Sequence, residues 1–365
     1  MTTCADQPHR SHRRSCLLPV TSVVATVALL FAALPACAQQ PAAPAAQETP
    51  KLDPKRLAAE DRIAFDFTYA FELTNLPPGA NQVRIWAPLP REDALQQAEI
   101  TSLESPVPVR FTREGEFGNR MIYAQVDNPA GKPLRWKMTY SVVRRQQSGA
   151  IMDDSPDAPM QRYLAPDQLV PTTGFITDIA RGIGAGNKPV KERGDALYDY
   201  CLNAMSYSKQ GEGWGRGDVK WACDAKYGNC SDFHSVFIAL ARVRRIPAKF
   251  EMGFPLPYEG DEGDIGGYHC WAKYYEQGAG WRAIDISEAD KYPELAAYFR
   301  DRLHARRVHF TTGRDITLVP QQAGPPVNFL IYPYIEVDGK PVKADRMQYR
   351  FYNLKVLDRA TAEAQ

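Results

Sequence analysis

A cysteine, a histidine and an aspartate occur in chain order at Cys230, His269 and Asp285, each in a local pattern that could present it for chemistry. Cys230 follows Tyr227-Gly228-Asn229, and from it Phe233, Val236, Phe237, Leu240 and Val243 recur at steps of three and four. That spacing predicts a helix that buries one face, starts at Cys230 and stops before Pro247. A thiol in the first turn meets unpaired backbone N–H groups and the positive end of the helix dipole, both of which favour the thiolate. Read without its surroundings, a cysteine at a helix start is more often a small buried apolar residue. The downstream pattern changes that weight. Gly266-Gly267-Tyr268-His269-Cys270-Trp271-Ala272-Lys273-Tyr274-Tyr275 and Gly278-Ala279-Gly280-Trp281-Arg282-Ala283-Ile284-Asp285 read as two strands joined by a glycine-containing turn. A hairpin of this kind brings His269 near Asp285. Nucleophile, base and orienting carboxylate then stand in the order a thiol acyl-transfer site uses. Glu288 and Asp290 compete with Asp285 for the orienting role but fall beyond the strand.

The neighbouring residues admit milder readings. Asp232 is expected to stabilise the helix N-terminus rather than take part in chemistry, since its charge opposes thiolate formation. His234 is expected on the helix surface or as a satisfied core histidine. Glu259, Asp261, Glu262 and Asp264 form an acidic loop before His269, read as a solvated lid with calcium as a weakly supported alternative. Arg300, Arg302, Arg306, Arg307 and Arg314 read as a solvated basic face. Beyond Cys37 the chain has Cys201, Cys223, Cys230 and Cys270. A free nucleophile leaves three, and a Cys223–Cys270 disulfide has little support. The intervals among Cys223, Cys230, His234, His269 and Cys270 lack the short paired spacings of structural zinc sites, so no metal or other cofactor is expected. For an oxyanion the backbone N–H of Cys230 is the natural first donor, and Trp221 or Tyr207 could supply a second from a side chain.

These blocks resemble the transglutaminase-like superfamily of papain-like cysteine enzymes, especially its bacterial members. The resemblance rests on Gly228-Asn229-Cys230-Ser231-Asp232, on the helix end Arg244-Arg245-Ile246-Pro247-Ala248-Lys249, on His269-Cys270-Trp271, and on Gly280-Trp281 through Asp285. It covers roughly the C-terminal half. It implies Cys230 as nucleophile, His269 as general base and acid, and Asp285 as the residue orienting the imidazole. Arg244-Arg245 departs from the small residue or glycine that such proteins often carry before the Ile-Pro.

The elements that must position these residues can be followed along the chain. With 365 residues, 44% of them hydrophobic, and a formal charge of +1, the composition is that of a soluble globular protein and offers no electrostatic footprint for nucleic acid. Arg10, Arg13 and Arg14 precede an apolar run over 17–34, which reads as an export signal occupying 1–38. Leu34-Pro35-Ala36-Cys37-Ala38-Gln39 fits either lipidation at Cys37, the one membrane attachment expected, or ordinary signal cleavage. An Ala/Pro-rich linker is expected over 39–60. Alternating runs at 63–73, 83–86 and 134–140, without a cysteine or histidine between 61 and 146, predict a small antiparallel β-sandwich as an accessory domain. A second linker is expected over 147–170, then the catalytic domain over 171–358 and a tail over 359–365. In that domain helices are expected at 177–182 and 190–205, a flexible glycine loop at 211–217, and strands at 308–319, 327–337 and 347–356 that complete the catalytic sheet. The expected fold class is α+β: an N-terminal antiparallel sandwich followed by a papain-like, transglutaminase-like domain with its cysteine at a helix N-terminus. The expected function is exported, cysteine-dependent acyl transfer on amide bonds of a protein or peptide. Hydrolysis is favoured over crosslinking because water is always present, and a scaffold that keeps the fold without using the site is the alternative.

Overall fold

The computed structural model describes residues 52–152, 159–184 and 186–357. The expected signal with Cys37, most of the 39–60 linker and the 359–365 tail lie outside the described residues.

The fold is α+β, and its three larger sheets are antiparallel. The strand Arg62–Leu73 buries Ile63, Phe65, Phe67, Tyr69, Phe71 and Leu73 and turns the alternate residues outward, as period-two patterning dictates. It lies at the centre of a five-stranded sheet between Leu134–Arg145 and Arg346–Val356, with Gln96–Glu104 and Gly263–Asp264 outside them. A second five-stranded sheet runs Lys340–Val342, Tyr334–Val337, Gln82–Pro88, Arg120–Asp127 and Arg110–Arg113. Asp338 and Gly339 turn its hairpin with φ of 50° and 75°, the left-handed pair that a two-residue connection requires. The third sheet has the order Gly280–Ile284, His269–Glu276, Ala248–Pro255, Arg307–Thr312.

The sandwich is therefore not confined to 61–146, and the C-terminal segment does not complete the catalytic sheet as expected. Only Arg307–Thr312 joins that sheet, whereas Tyr334–Val337, Lys340–Val342 and Arg346–Val356 return to the sandwich. The cause is burial: Tyr349 and Phe351 are 5% and 0% exposed, and the Tyr349 ring lies 4.3 Å from that of Phe254 on the third sheet. Phe67 of the sandwich meets Phe254 and Phe310 of the third sheet at 5.5 and 5.7 Å. The two sheets thus share one core.

Both expected linkers also contain structure. Asp53 caps a short helix Pro54–Ala59 whose Leu57 is buried, and Glu60 pairs with Arg306 at 2.6 Å. In the second, Gln147–Ser148 pairs with Arg302–Leu303, Tyr163 is buried, and Asp167 accepts hydrogen bonds from Arg162 and Arg242 at 2.7 and 2.6 Å. Composition suggested loops there, but Glu60, Gln147 and Asp167 each have specific partners.

The helix Cys230–Val243 runs through the centre of the molecule, packed on His269–Glu276 and Ala248–Pro255 on one side and on the helices Phe175–Gly182, Val190–Ala204, Val219–Ala225 and Ile286–Lys291 on others. Every residue from Cys230 to Arg242 is buried, so the helix buries all its faces and not the single expected stripe. Its end explains the Arg244-Arg245 departure: Arg245 takes φ 59°, the left-handed conformation that glycine adopts most easily at this position, while its exposed side chain costs nothing in packing.

Candidate active site

Asn229 caps the central helix by accepting the Ser231 N–H at 2.9 Å, and Asp232 reaches back to accept the Asn229 N–H at 2.9 Å. This reciprocal cap fixes the turn on which Cys230 sits. The Asp232 carboxylate also accepts the N–H groups of Gly215 and Gly217 at 2.7 and 2.9 Å. It therefore ties the 211–217 loop to the start of the helix. Arg314 holds the same loop from its carbonyl side, donating to Gly217 O and Arg216 O at 2.8 Å each. The loop read as flexible is anchored at both kinds of backbone group.

His269 opens the strand that pairs with Gly280–Ile284, and Asp285 follows directly on that partner strand. Their side chains meet: His269 Nε2–H donates to Asp285 Oδ2 at 2.7 Å. Asp285 is also the cap of the helix Ile286–Lys291, its Oδ1 accepting the Glu288 N–H at 3.2 Å and the Ser287 hydroxyl at 3.3 Å. With Nε2 engaged by Asp285, Nδ1 is the imidazole nitrogen left for the Cys230 thiol. Cys230, His269 and Asp285 are 2%, 4% and 0% exposed.

The competing carboxylates are occupied elsewhere. Glu288 accepts from Tyr258 Oη and Lys291 Nζ, both at 2.6 Å, and Asp290 accepts the Tyr207 N–H at 2.8 Å.

Electrostatics divide these groups sharply. Burial pushes the His269 imidazolium down, but the Asp285 charge and hydrogen bond, together with Cys230, outweigh it and hold the pKa up to about 9. Burial raises the Cys230 thiol, yet hydrogen bonds from Cys270 and His269 and the adjacent imidazolium bring it well below its ordinary value. The other three cysteines move the opposite way. Burial raises Cys201 and Cys270, and it pushes Cys223 up to about 11. All four thiols among the described residues are free. A buried thiol held low beside an imidazole held high favours the thiolate–imidazolium pair over the neutral one.

His234 takes the second of its two expected places, the satisfied core histidine, whereas three of the arginines are placed differently from expectation. His234 is fully buried; its Nε2 accepts the Ile286 N–H at 3.0 Å, which requires that nitrogen to be unprotonated, and burial holds its pKa down to about 4. It braces the Cys230 helix against the turn that carries Asp285. Arg306, Arg307 and Arg314 are 4%, 1% and 1% exposed, so the expected solvated basic face does not exist there. Each guanidinium instead satisfies loop carbonyls or a carboxylate: Glu60 for Arg306, Asp285 for Arg307, Gly217 and Arg216 for Arg314. In the acidic loop Glu262 and Asp264 face Arg350 at 3.0 and 3.6 Å. Among the described residues, no group of three or more His, Cys, Asp or Glu side chains is arranged to hold a metal ion.

A cavity of about 340 Å³ opens beside His269, walled by Tyr207, Tyr258, Tyr268, Glu288 and Lys291. Of the two oxyanion candidates, Tyr207 lines this cavity, with Lys291 Nζ 4.3 Å from its ring centre. Trp221 does not line it, and packs on Tyr227 at 5.3 Å beneath Gly213. Sequence reading missed Tyr268, whose hydroxyl lies 3.0 Å from both Asn229 Nδ2 and Ser231 Oγ. Its position directly before His269 was the available signal. A larger cavity of about 490 Å³ between the outer strands of the two sandwich sheets has neither cysteine nor histidine in its wall.

A Cys–His–Asp line at a helix N-terminus packed on an antiparallel sheet is the arrangement of a papain-like thiol site. Among known proteins, residues 177–286 match the transglutaminase-like superfamily model, a segment that spans Cys230, His269 and Asp285. Residues 177–286 thus form a transglutaminase-like domain. An uncharacterized protein of Haemophilus influenzae is 26% identical over 336 residues, covering 80% of this chain and 90% of that protein. The crystal structure of a candidate cysteine protease from Cytophaga hutchinsonii shares the fold at 15% identity and a TM-score of 0.53, over 81% of this chain and 91% of that one. The periplasmic domain of TgpA from Pseudomonas aeruginosa aligns over 67% of this chain and 94% of that domain, at 14% identity and a TM-score of 0.37.

Proposed function

We propose that the chain is an exported cysteine-dependent acyl-transfer enzyme that hydrolyses peptide or isopeptide bonds through Cys230, His269 and Asp285. The observation that carries this reading is the placement of Cys230 in the first turn of the buried central helix, packed on the strand whose His269 Nε2–H is bonded to Asp285 at 2.7 Å; of the four described thiols it alone is lowered and the other three are raised. The Cys230 thiolate attacks the amide carbonyl, and His269 passes its proton to the departing amine. Asp285 keeps the imidazole in the Nε2–H tautomer, with Nδ1 toward sulfur. Water, deprotonated by the now neutral His269, then releases the acyl group from the thioester. The Cys230 N–H at the helix start and the Tyr207 hydroxyl are the proposed donors to the oxyanion. The substrate is a protein or peptide segment laid along the cavity beside His269. Export rests on the basic and apolar N-terminus, with lipidation at Cys37 or ordinary signal cleavage as its two forms. No helix among the described residues is long and apolar enough to cross a membrane.

The test sets reactivity against exposure. Cys223 is the most exposed of the four thiols and Cys230 is only 2% exposed. Iodoacetamide at neutral pH should nevertheless alkylate Cys230 first, and His269→Ala should slow that reaction. Peptide-library turnover should vanish in Cys230→Ala. Fastest labelling at Cys223, or turnover surviving in Cys230→Ala, would end this reading.

A further inference from the structure

Asp285 Oδ2 accepts more than the imidazole. Arg307 Nη1 and Nη2 lie 3.3 Å from the same oxygen, and the guanidinium carbon sits 4.8 Å from the Trp271 ring centre. Arg307 Nη2 also donates to His304 Nε2 at 2.9 Å. Arg307 and Asp285 are 1% and 0% exposed, so water screens neither.

The remaining titratable groups facing this cluster come from every element packed on it. Glu288 and Lys291, on the helix after Asp285, pair with each other at 2.6 Å. His234 on the central helix and His304 before Arg307 are neutral, because burial lowers both. Tyr198, Tyr207, Tyr258, Tyr268 and Tyr298 are kept protonated by burial, as is the Cys270 thiol. What is left is the Cys230 thiolate, the His269 imidazolium, Asp285 and Arg307: two negative charges and two positive.

We propose that Arg307 is a positioning residue that keeps the buried site electrically neutral in both halves of the reaction, and so keeps Asp285 ionised when His269 gives up its proton. This rests on the nucleophile reading above. In the resting site the four charges cancel. In the thioester intermediate sulfur is uncharged and His269 has passed its proton to the leaving amine; Asp285 and Arg307 remain and still cancel. Without Arg307 the site would carry a buried negative charge in both states, and an isolated buried carboxylate neutralises itself by taking up a proton. Asp285 would then draw the proton that the imidazole must hold or release.

The sign of the test follows from electrostatics. Removing a cation makes every proton in the cluster harder to lose. Arg307→Gln should therefore move both limbs of the pH profile toward alkaline pH by about one unit: the thiolate limb of Cys230 alkylation and the imidazolium limb of amide turnover. Arg307→Lys, which retains the charge, should return both limbs toward the wild-type positions even if turnover stays low. A merely structural role predicts lower rates with unmoved limbs in both variants, and that result overturns the inference. If Arg307→Gln does not fold, the double variant Asp285→Asn/Arg307→Gln removes the two charges together. Its limbs should lie about one unit alkaline of those in Asp285→Asn alone, and identical limbs overturn the proposal. Equal labelling of all four wild-type thiols overturns the nucleophile reading and this inference with it. Selective labelling with unmoved limbs overturns this inference alone.

Discussion

Replacing Asp285 by asparagine tests the geometry most directly, because each carboxylate oxygen faces only donors. Oδ2 faces His269 Nε2–H and the Arg307 guanidinium, and Oδ1 faces the Glu288 N–H and the Ser287 hydroxyl. An amide has one oxygen, so its NH₂ must sit against one of these pairs. Placed toward His269 it would force the imidazole into the other tautomer, with Nε2 accepting and Nδ1 no longer able to take the thiol proton. Placed toward Oδ1 it loses the cap on Glu288 but finds an acceptor in Ser287, whose hydroxyl can reverse its role. The second arrangement costs about 1 kcal/mol for the lost cap and preserves the Nε2–H tautomer. Asp285→Asn should therefore fold and retain more turnover than Asp285→Ala, which removes the charge as well but also leaves His269 Nε2–H, the Arg307 guanidinium and the Glu288 N–H without any acceptor, and should lower turnover roughly ten- to a thousand-fold.

The size of the asparagine effect follows from the electrostatics. Burial alone lowers the imidazolium, and the Asp285 charge is the largest influence holding it up to about 9. Without that charge the value should fall to about 6.5 or below. At pH 8 the imidazolium fraction then drops about thirtyfold. The assay is the pH dependence of amide turnover and of Cys230 alkylation. In the wild type the proton needed by the leaving amine is present below about pH 9 and lost above it. In Asp285→Asn that alkaline limb should move below about pH 7. A limb that stays near 9 would refute the reasoning, as would unchanged turnover in Asp285→Ala combined with impaired turnover in Glu288→Ala or Asp290→Ala.

Two further outcomes are expected. Mass spectrometry of the mature chain from envelope fractions should find it starting at Cys37 with lipid or near Gln39 without; an intact Met1 terminus in the cytosol would contradict export. Asp232→Ala leaves three backbone N–H groups, those of Gly215, Gly217 and Asn229, without their acceptor. At about 1–3 kcal/mol for each buried orphan, urea unfolding should show a loss of several kcal/mol, and a loss under 1 kcal/mol would remove Asp232 from the role of loop anchor.

What could be read from sequence was what local spacing encodes. The Cys230 helix, its start at Asn229 and the hairpin bringing His269 to Asp285 all follow from periods of 3.6 and 2 and from turn residues close in sequence. Strand partnership is not encoded that way. The alternation in 347–356 predicts a strand, but only Tyr349 packing on Phe254 and Phe351 burying in the shared core decide which sheet receives it. Clustered arginines mislead for a related reason. Charge along the chain suggests solvent, yet Arg306 and Arg307 are neighbours that turn to Glu60 and to Asp285, residues 246 and 22 positions away. His234 was undecided because its role depends on an acceptor site beneath Ile286, 52 residues on. Local physics specified which residues could react; the partners that tune them are distant in sequence.

The sandwich bears on the site more closely than an accessory domain would. The strand Arg307–Thr312 carries Arg307 behind Asp285, and it is held from the sandwich side: His309 N–H donates to Gln96 Oε1 at 2.8 Å, Gln96 Nε2 and the Arg91 N–H donate to His309 O at 2.8 and 2.9 Å, and Asp93 Oδ2 lies 3.2 Å from His309 Nδ1. A chain starting at residue 147 loses all of these and uncovers Phe254, Phe310, Tyr349 and Phe351, which are at most 5% exposed. At about 1.5–3 kcal/mol for each buried side chain, the exposed apolar surface costs roughly 6–12 kcal/mol, comparable with the whole stability of a domain of about 5–15 kcal/mol. The 147–365 fragment is therefore expected to lack near-UV circular dichroism and cooperative thermal unfolding, and to show no amide turnover. A fragment that melts cooperatively and retains turnover would show that the sandwich only adjoins the site, and that Arg307 is positioned without it.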